Sequence, residues 1–443
     1  MEKIVYIIVL ALTVCVATAQ EYTVSGGLGE PLLAVDNTNY RIKIFLVWGM
    51  ENVKVSYISA STAHKWYRYR TKVDALNPEA VASVQNGTSS YITGVEDEYG
   101  YYVDENGNMR YYVFIIDYSK LAAVINSIEV ASDVDPCVAI RLTGDADIKD
   151  INYYTPGGAL MKVAREFQVS YQTQKWNETL KQFSSDTYSE TFSGNPFARS
   201  FTTPPLTDTE IRLQGDEFAR HFGVEQSAVT DLYEAKALEI HADTTVVSTG
   251  SGNVTGGSES EFSAPALILF KAYGNTPVAS RFLWQIFREE EPDKPLIHSS
   301  TEEVEYTFDR TGTFIAKLEV SDRSGSCLND EHQFQISITE TVMEIPNAFS
   351  PGTTPGVNDV FRVKYKSVVD FHGRIYNRWG NELFSWSNPA DGWDGKYRGS
   401  YVPAGAYYYL IEYTGTDGKT RVRKGDVNVF RSKSINLEKT NPE

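Results

Sequence analysis

Cysteine, histidine, methionine and positive charge are all scarce in this sequence. It has 3 Cys, 6 His and 5 Met in 443 residues, which excludes a disulfide-dense scaffold and a Cys-rich zinc module. The His are scattered without metal-ligand spacing, so we predict no metal site and no cofactor. Only 41 Lys and Arg stand against 58 Asp and Glu, a formal charge of −17. This sign argues against nucleic acid or an anionic membrane surface as the main partner.

Catalytic signatures are missing as well. The sequence contains no His-Glu-x-x-His, no Gly-x-Ser-x-Gly, no phosphate-binding loop and no dinucleotide fingerprint. We therefore predict that the protein is not an enzyme, and we assign no catalytic or cofactor-binding residue. A divergent secreted hydrolase stays open as a less favoured alternative, because the paired carboxylates of glycoside hydrolases meet in space rather than in sequence.

The longest apolar run lies at the N-terminus. Residues 4–16 follow Lys3, and Ala17-Thr18-Ala19 then supplies a small-x-small cleavage site. This order is typical of a secretory signal peptide, so we predict an exported protein. A lipoprotein signal with Cys15 as the lipidated residue is the alternative, disfavoured because the large Val14 precedes it. No second apolar stretch reaches roughly 18 residues, so we predict no membrane span.

Export places the other two cysteines, Cys137 and Cys327, in an oxidising compartment. A disulfide bond between them is one interpretation. Two buried thiols are the favoured one, since the sequence places these residues in separate domains.

Strand patterns dominate the rest of the chain. Two aromatic and β-branched runs flank Asn106-Gly107, which is a strong hairpin signal. Apolar residues alternate with polar ones over 304–308 and 314–320, as in antiparallel sheets with one buried face. Residues 216–238 hold the best candidate for a short helix. We predict an all-β fold of tandem Ig-like β-sandwich domains, with at most one or two short helices.

Composition shifts divide the chain. The clearest linker is rich in Gly and Ser, which resist ordering. The predicted divisions are a signal peptide (1–19), an N-terminal β domain (20–132), a second β domain (133–246), a Gly/Ser linker (247–260), an Ig-like domain (261–341), a C-terminal domain (342–432) and a polar tail (433–443).

One segment of the N-terminal domain bears on ligand binding. Lys65-Trp66-Tyr67-Arg68-Tyr69-Arg70 mixes aromatic and cationic residues. An exposed aromatic row would stack on sugar rings. The favoured interpretation is a strand with Trp66 and Arg68 on one face and Tyr67 and Tyr69 on the other.

The C-terminal domain carries five sequence blocks in a fixed order. They are Ile345–Pro351, Asn358–Phe361, Ile375–Phe384, Gly392–Lys396 and Val402–Tyr409. In order and spacing they resemble the gliding-motility-associated C-terminal domain of Bacteroidetes proteins, which is the type B sorting domain of the type IX secretion system. The residues that carry this motif are Pro346, Asn347, Phe349, Asn358, Asp359, Asn377, Arg378, Trp379, Gly380, Trp393, Asp394, Gly395, Pro403 and Gly405.

The resemblance implies that the protein passes through the type IX outer-membrane translocon and interacts with a SprF-like outer-membrane protein. It also implies a location at the cell surface or outside the cell. The family's acidic turn before Asn358-Asp359 is replaced here by residues 352–357, which lack a carboxylate, so we carry over no calcium site. Within the motif, Asn377, Arg378 and Trp379 have two interpretations: a recognition surface for the secretion machinery, or the favoured structural motif, with Trp379 in the core and Arg378 stacked on it.

The preceding unit, residues 261–341, resembles a PKD-type Ig-like domain. The resemblance lies in Phe282–Ile286, Tyr306–Phe308 and Leu318–Asp322. It implies that Trp284 lies in the core, as a central-strand Trp of an Ig-like sandwich does.

These observations favour a non-catalytic exported protein whose N-terminal domains form a stalk or an adhesive body that binds a glycan or a protein. A surface glycan-binding protein is the main alternative.

Overall fold

The computed structural model describes residues 21–431, except residues 251, 254–260 and 354–355. The chain divides into two compact units: the first comprises residues up to 173 together with 185–235, and the second comprises 174–184 and the chain from 236 onward. Among the described residues the one α-helix, α1, has five residues (Glu217–His221), and strands dominate, so the predicted all-β class is confirmed. The predicted signal peptide and polar tail lie outside the described residues.

Ten strands form the N-terminal β-sandwich of the first unit. They are β1 (Glu21–Ser25), β2 (Leu32–Asn37), β3 (Ile42–Val47), β4 (Lys54–Ile58), β5 (Lys65–Tyr69), β6 (Glu79–Val81), β7 (Val84–Asn86), β8 (Ser89–Ile92), β9 (Tyr99–Glu105) and β10 (Asn108–Asp117).

The ten strands make two sheets, in the orders β1-β4-β8-β7 and β2-β3-β10-β9-β5-β6. Tyr57 of the first sheet and Trp66 of the second belong to the core between them. The predicted hairpin is confirmed, since β9 pairs with β10 across Asn106 and Gly107, both at positive φ. The strand interpretation of residues 65–70 is also confirmed: Trp66 is buried on one face and Tyr69 on the other.

A second sandwich completes the first unit. Its elements are β11 (Val124–Val130), β12 (Ile140–Asp147), β13 (Ile151–Tyr154), β14 (Leu160–Val163), β15 (Glu166–Asn177), β16 (Gln182–Ser193), β17 (Ser200–Phe201), β18 (Ile211–Gly215), α1 and β19 (Gln226–Val229), with 3₁₀ turns at Tyr118–Lys120 and Pro196–Ala198.

Sheets β11-β12-β17 and β16-β15-β18-β19 enclose the core of this second sandwich. The β13–β14 hairpin and α1 do not join that core. Ile151, Tyr153 and Phe218 belong instead to one hydrophobic cluster with Ile44 and Phe114, on the outer face of the β3–β10 sheet. The two sandwiches of the first unit therefore share an apolar core, which we call the apolar junction.

A buried charge pair lies at the edge of this junction. Asp216 is fully buried, and its carboxylate lies 3.1 Å from the guanidinium of Arg165. The same carboxylate accepts hydrogen bonds from the Tyr118 hydroxyl and from the Ala219 backbone N–H, so Asp216 is also the N-cap of α1. Burial raises the pKa of Tyr118, and its hydroxyl remains a donor.

The second unit contains the Ig-like domain and the C-terminal domain. The Ig-like strands are β20 (Ile240–Ser248), β21 (Glu261–Phe262), β22 (Ala266–Gly274), β23 (Ala279–Arg288), β24 (Ile297–Ser299), β25 (Glu303–Phe308), β26 (Gly312–Asp322), β27 (Leu328–Asn329) and β28 (Gln333–Ile338).

The Ig-like domain pairs a β20-β22-β25 sheet with a β21-β28-β26-β23-β24 sheet, and β27 adds to β26. Phe314, Leu318 and Val320 alternate inward along β26, and Trp284 is fully buried, as the resemblance implies. The structure differs from the expected linker in one respect: β20 runs through Ser248 and hydrogen-bonds with β22, so residues 247 and 248 lie in a strand. The finer domain boundaries stay predictions.

The expectation of two buried thiols is wrong. Cys137 and Cys327 are both disulfide-bonded. Cys327 is buried, and Asp322 accepts a hydrogen bond from its backbone N–H. The expectation rested on assigning the two residues to separate domains, and that assignment does not fix the redox state of a Cys in an oxidising compartment.

Candidate recognition surface of the C-terminal domain

Nine strands build the C-terminal domain. They are β29 (Val342–Glu344), β30 (Ala348–Phe349), β31 (Lys364–Lys366), β32 (Val368–Tyr376), β33 (Glu382–Trp386), β34 (Lys396–Tyr397), β35 (Ser400–Tyr401), β36 (Gly405–Gly415) and β37 (Thr420–Val429).

The main sheet has the order β30-β37-β36-β32-β33. Phe349 and Trp393 of the sequence motif lie in its core, with ring centroids 5.4 Å apart. The indole Nε1–H of Trp393 donates to the Lys396 carbonyl at 2.9 Å, which satisfies its buried polar atom. These two motif residues therefore stabilise the fold.

The Asn358-Asp359 pair shapes a loop. The Asp359 carboxylate accepts hydrogen bonds from the backbone N–H groups of Gly352 and Gly356. Asn358 adopts a positive φ of 53°, and its carbonyl accepts from Ser350 at 2.8 Å. The Asp359 carboxylate therefore binds its own loop. The described residues contain no cluster of His, Cys, Asp or Glu that could hold a metal ion.

Four other motif residues make close contacts within the domain. Asp394 accepts a hydrogen bond from the Lys396 N–H, and a Cβ at Gly395 would lie 2.6 Å from Pro351. The carbonyl of Pro403 accepts from the buried Tyr407 hydroxyl at 2.9 Å, and that of Asn347 accepts from the Asn428 N–H at 2.9 Å. Their role in the structure is to fix turns and strand ends.

The Asn377–Gly380 turn differs from all of these. The Asn377 side chain accepts hydrogen bonds from the N–H groups of Trp379 and Asn381, both at 3.0 Å, and Gly380 supplies the left-handed φ of 80°. This turn holds Trp379 outward, with 73% of its surface exposed. The Arg378 guanidinium lies over the Trp379 ring, 4.8 Å from its centroid. The prediction that Trp379 is a core residue is wrong, whereas the stacking of Arg378 on it is observed.

A groove of about 560 Å³ opens beside this turn. Among the described residues that line it, Arg378 is the only charged one. Burial raises the pKa of Tyr407 in its wall, so that phenol stays neutral. The lining consists of Asn377, Arg378, Trp379, Leu383, Tyr397, Val402, Pro403, Ala404, Gly405, Ala406, Tyr407 and Tyr408.

The structure thus divides the predicted motif in two. Asn377, Arg378, Trp379, Pro403 and Gly405 meet at the groove. Pro346, Phe349, Asn358 and Asp359 line a separate cleft of about 660 Å³ with Glu344. The two acids of that cleft already have partners, since Glu344 pairs with Lys364 at 3.4 Å and Asp359 binds its loop.

Sequence reasoning missed Tyr397 and Tyr408, two exposed aromatic residues of the groove. A usable signal existed for Tyr408. In the run Tyr407-Tyr408-Tyr409 of β36, strand alternation must turn the middle ring away from the core that takes the outer two.

Two protein-family models match parts of the chain. Residues 129–230 match the family model of a fibronectin type III domain, and residues 343–429 match that of the CHU_C Type IX secretion signal domain. No curated protein shows significant sequence similarity to the chain. The C-terminal domain is therefore a type IX secretion signal domain, and both matched kinds of domain are non-catalytic.

Several solved structures are similar at low identity. A tetra-tandem repeat from the extending region of a large adhesion protein is 11% identical with a TM-score of 0.22, and the match covers 88% of this chain and 99% of that chain. The FN1–FN3 domains of chicken CNTN1 are 10% identical with a TM-score of 0.24, covering 69% and 98%. The fibronectin(III)-like modules of Clostridium thermocellum CbhA are 11% identical with a TM-score of 0.19, covering 45% and 100%. These scores are too low to bear on the function of this chain.

Proposed function

We propose that this protein is a non-catalytic cargo of the type IX secretion system, in which residues 342–432 are the sorting signal and residues 21–341 form a stalk or adhesive body. The observation that carries the proposal is the type IX secretion signal domain at residues 343–429. The system's function implies export to the cell surface or the medium. No helix in the described part of the chain is both long and apolar enough to cross a membrane.

The groove at the Asn377–Gly380 turn is the proposed contact with the secretion machinery, meaning the translocon or a SprF-like outer-membrane protein. A Trp with 73% of its surface in water gives the fold little stability, whereas exposed aromatic and Arg side chains are the residues that dominate protein interfaces. Asn377 and Gly380 hold the turn in one conformation, so binding would not have to order it.

A glycan-binding body has less support. Tyr40 is the only aromatic residue among the exposed large hydrophobics that the structure describes in residues 21–245. Stacking on an extended glycan needs several such rings on one surface. The stalk or adhesive role therefore leads, and its ligand would be recognised by other means.

Localisation of a truncated chain tests the sorting signal. We expect the full-length protein at the surface or in the medium of the native cell and a version ending at Glu340 in the periplasm. Surface exposure of the truncated version would show that the C-terminal domain is not the sorting signal.

Point variants test the groove. We expect Trp379→Ala and Arg378→Ala to reduce the exported fraction several-fold, because they remove the exposed ring and the single charge of the groove. Phe430→Ala is the matched control, since Phe430 is 61% exposed in the same domain and does not line the groove. Equal export of all three variants would contradict the proposed contact.

A further inference from the structure

The Ig-like domain and the secretion signal domain are joined without a free linker. Strand β28 ends at Ile338 and β29 begins at Val342, which leaves three residues between them. The Thr339 N–H donates to the Phe262 carbonyl of the Ig-like domain at 3.0 Å. The β29 strand is already paired with β31 of the signal domain. The connection therefore passes from one sheet system to the next with little unpaired backbone.

A cluster of hydroxyl groups closes the connection, and we call it the hydroxyl junction. It consists of Thr311, Thr339, Thr341, Ser367 and Thr416. The Thr341 hydroxyl donates to the Ser367 carbonyl at 2.7 Å and accepts from the Thr416 N–H at 2.8 Å. The Thr339 hydroxyl bonds to that of Ser367, and the Thr311 N–H donates to the Thr416 carbonyl at 3.1 Å.

Burial and close packing show that the junction is tight. Ser367 is fully buried and Thr416 nearly so. Ser367 also holds a φ of 56°, a conformation that persists in a non-Gly residue only where its surroundings impose it. A Cβ at Gly418 would collide with the guanidinium of Arg310, so the Ig-like domain packs directly on the β36–β37 turn.

A second connection reaches the signal domain from the residues that follow β20 of the Ig-like domain. Gly250 donates its N–H to the Ser263 carbonyl at 2.9 Å. Three residues further on, the Asn253 side chain accepts from the Tyr365 N–H and donates to the Val363 carbonyl, both at 2.8 Å. The signal domain is thus held at two separate places: after β20 and after β28 of the Ig-like domain.

We propose that the secretion signal domain of this protein is retained after export and forms one structural body with the Ig-like domain. This inference rests on the proposed function, since it concerns the fate of the sorting signal. Proteases cut exposed, mobile segments, and the backbone here is paired, capped by side chains and partly buried. Cleavage between residues 339 and 345 would first require this junction to open.

The first test is the mass of the exported protein, purified from the native cell surface or medium. We expect a chain that still contains residues 342–431. A product ending between residues 339 and 345 would overturn the inference and leave the sorting role intact. Surface exposure of the version ending at Glu340 would instead overturn the sorting role, so the two failures are distinguishable.

The second test is limited proteolysis of the purified full-length protein with a protease of low specificity. Thr341→Val removes the hydroxyl but keeps the side-chain shape, and we expect cleavage within residues 339–345 to become on the order of tenfold faster. Thr414→Val is the matched control, because its hydroxyl bonds only to Thr420 at the surface of the same sheet. Ser367→Ala is the second junction variant, in case Thr341→Val fails to fold. Unchanged cleavage in both folded junction variants would overturn the inference.

Discussion

The two units of the protein join their domains by different interactions: apolar packing in the first unit and hydrogen bonds in the second. The apolar junction of the first unit buries aromatic and aliphatic side chains and has a buried ion pair between Arg165 and Asp216 at its edge. The hydroxyl junction of the second unit is built from Thr and Ser side chains and backbone groups. The first arrangement adds a shared apolar core to the separate core that each of the two sandwiches has. The second adds a few directional hydrogen bonds between domains that each have their own core.

The largest effect is expected in the apolar junction. Asp216→Ala leaves the Arg165 guanidinium buried without its ion-pair partner and removes the cap of α1. Breaking one side of a buried pair costs about 3–5 kcal/mol, so we expect a loss of that size in the free energy of unfolding, measured by urea denaturation.

Asp133→Ala is its control, because Asp133 pairs with Arg141 at the surface. We expect no measurable change there, since solvent screens such pairs. A comparable loss in both variants would mean that burial of the Arg165–Asp216 pair does not matter.

A smaller effect is expected in the hydroxyl junction. Thr416→Val removes the hydroxyl that contacts Thr341 within a buried site. An unsatisfied or lost hydrogen bond of this kind costs about 1–2 kcal/mol, and the loss should appear in the unfolding of the second unit only. Differential scanning calorimetry is the measurement, and we expect one transition for each unit. A loss of unfolding free energy as large as that of Asp216→Ala would contradict the expected difference in stability between the two junctions.

The junctions should also differ in their response to pH. Burial raises the pKa of Glu217, in the first turn of α1, from 4.5 to about 7. The folded state therefore binds the proton more tightly than the unfolded state, and this contribution to stability is lost as the pH rises from about 4.5 through 7. The hydroxyl junction contains only Ser and Thr side chains and has no such dependence.

Glu217→Gln tests this difference. We expect the variant to be more stable than the original protein at pH 8 and nearly equal to it at pH 4, when unfolding midpoints in urea are compared. Glu210→Gln, an exposed residue of the same unit, is the control and should change neither value. A stability difference for Glu217→Gln that is the same at both pH values would contradict the titration.

Local patterns in the sequence were enough to predict strands and a hairpin. Contacts between residues that are distant in the chain were not predictable. Alternation along residues 314–320 was enough to predict β26, and Asn106-Gly107 was enough to predict a hairpin, because strand geometry and turn conformation are local. The shared core of the apolar junction was not predictable, since the rings of Phe114 and Tyr153 meet only after two sandwiches have formed. Within the motif, sequence could not distinguish Trp379 from Trp393, because each lies directly beside a Gly at a turn.

The smallest change in stability is expected for a substitution of Trp379. Comparing it with Trp393 distinguishes a motif residue proposed for recognition from one that stabilises the fold. Trp379→Ala removes a ring that is 73% exposed, so the free energy of unfolding should change by no more than about 0.5 kcal/mol. Trp393→Ala empties a fully buried site and should cost about 3–5 kcal/mol. If Trp379→Ala lowers export while its unfolding curve overlays that of the original protein, the export defect cannot come from misfolding. A destabilisation similar to that of Trp393→Ala would instead return Trp379 to a structural role and leave the groove without a recognition residue.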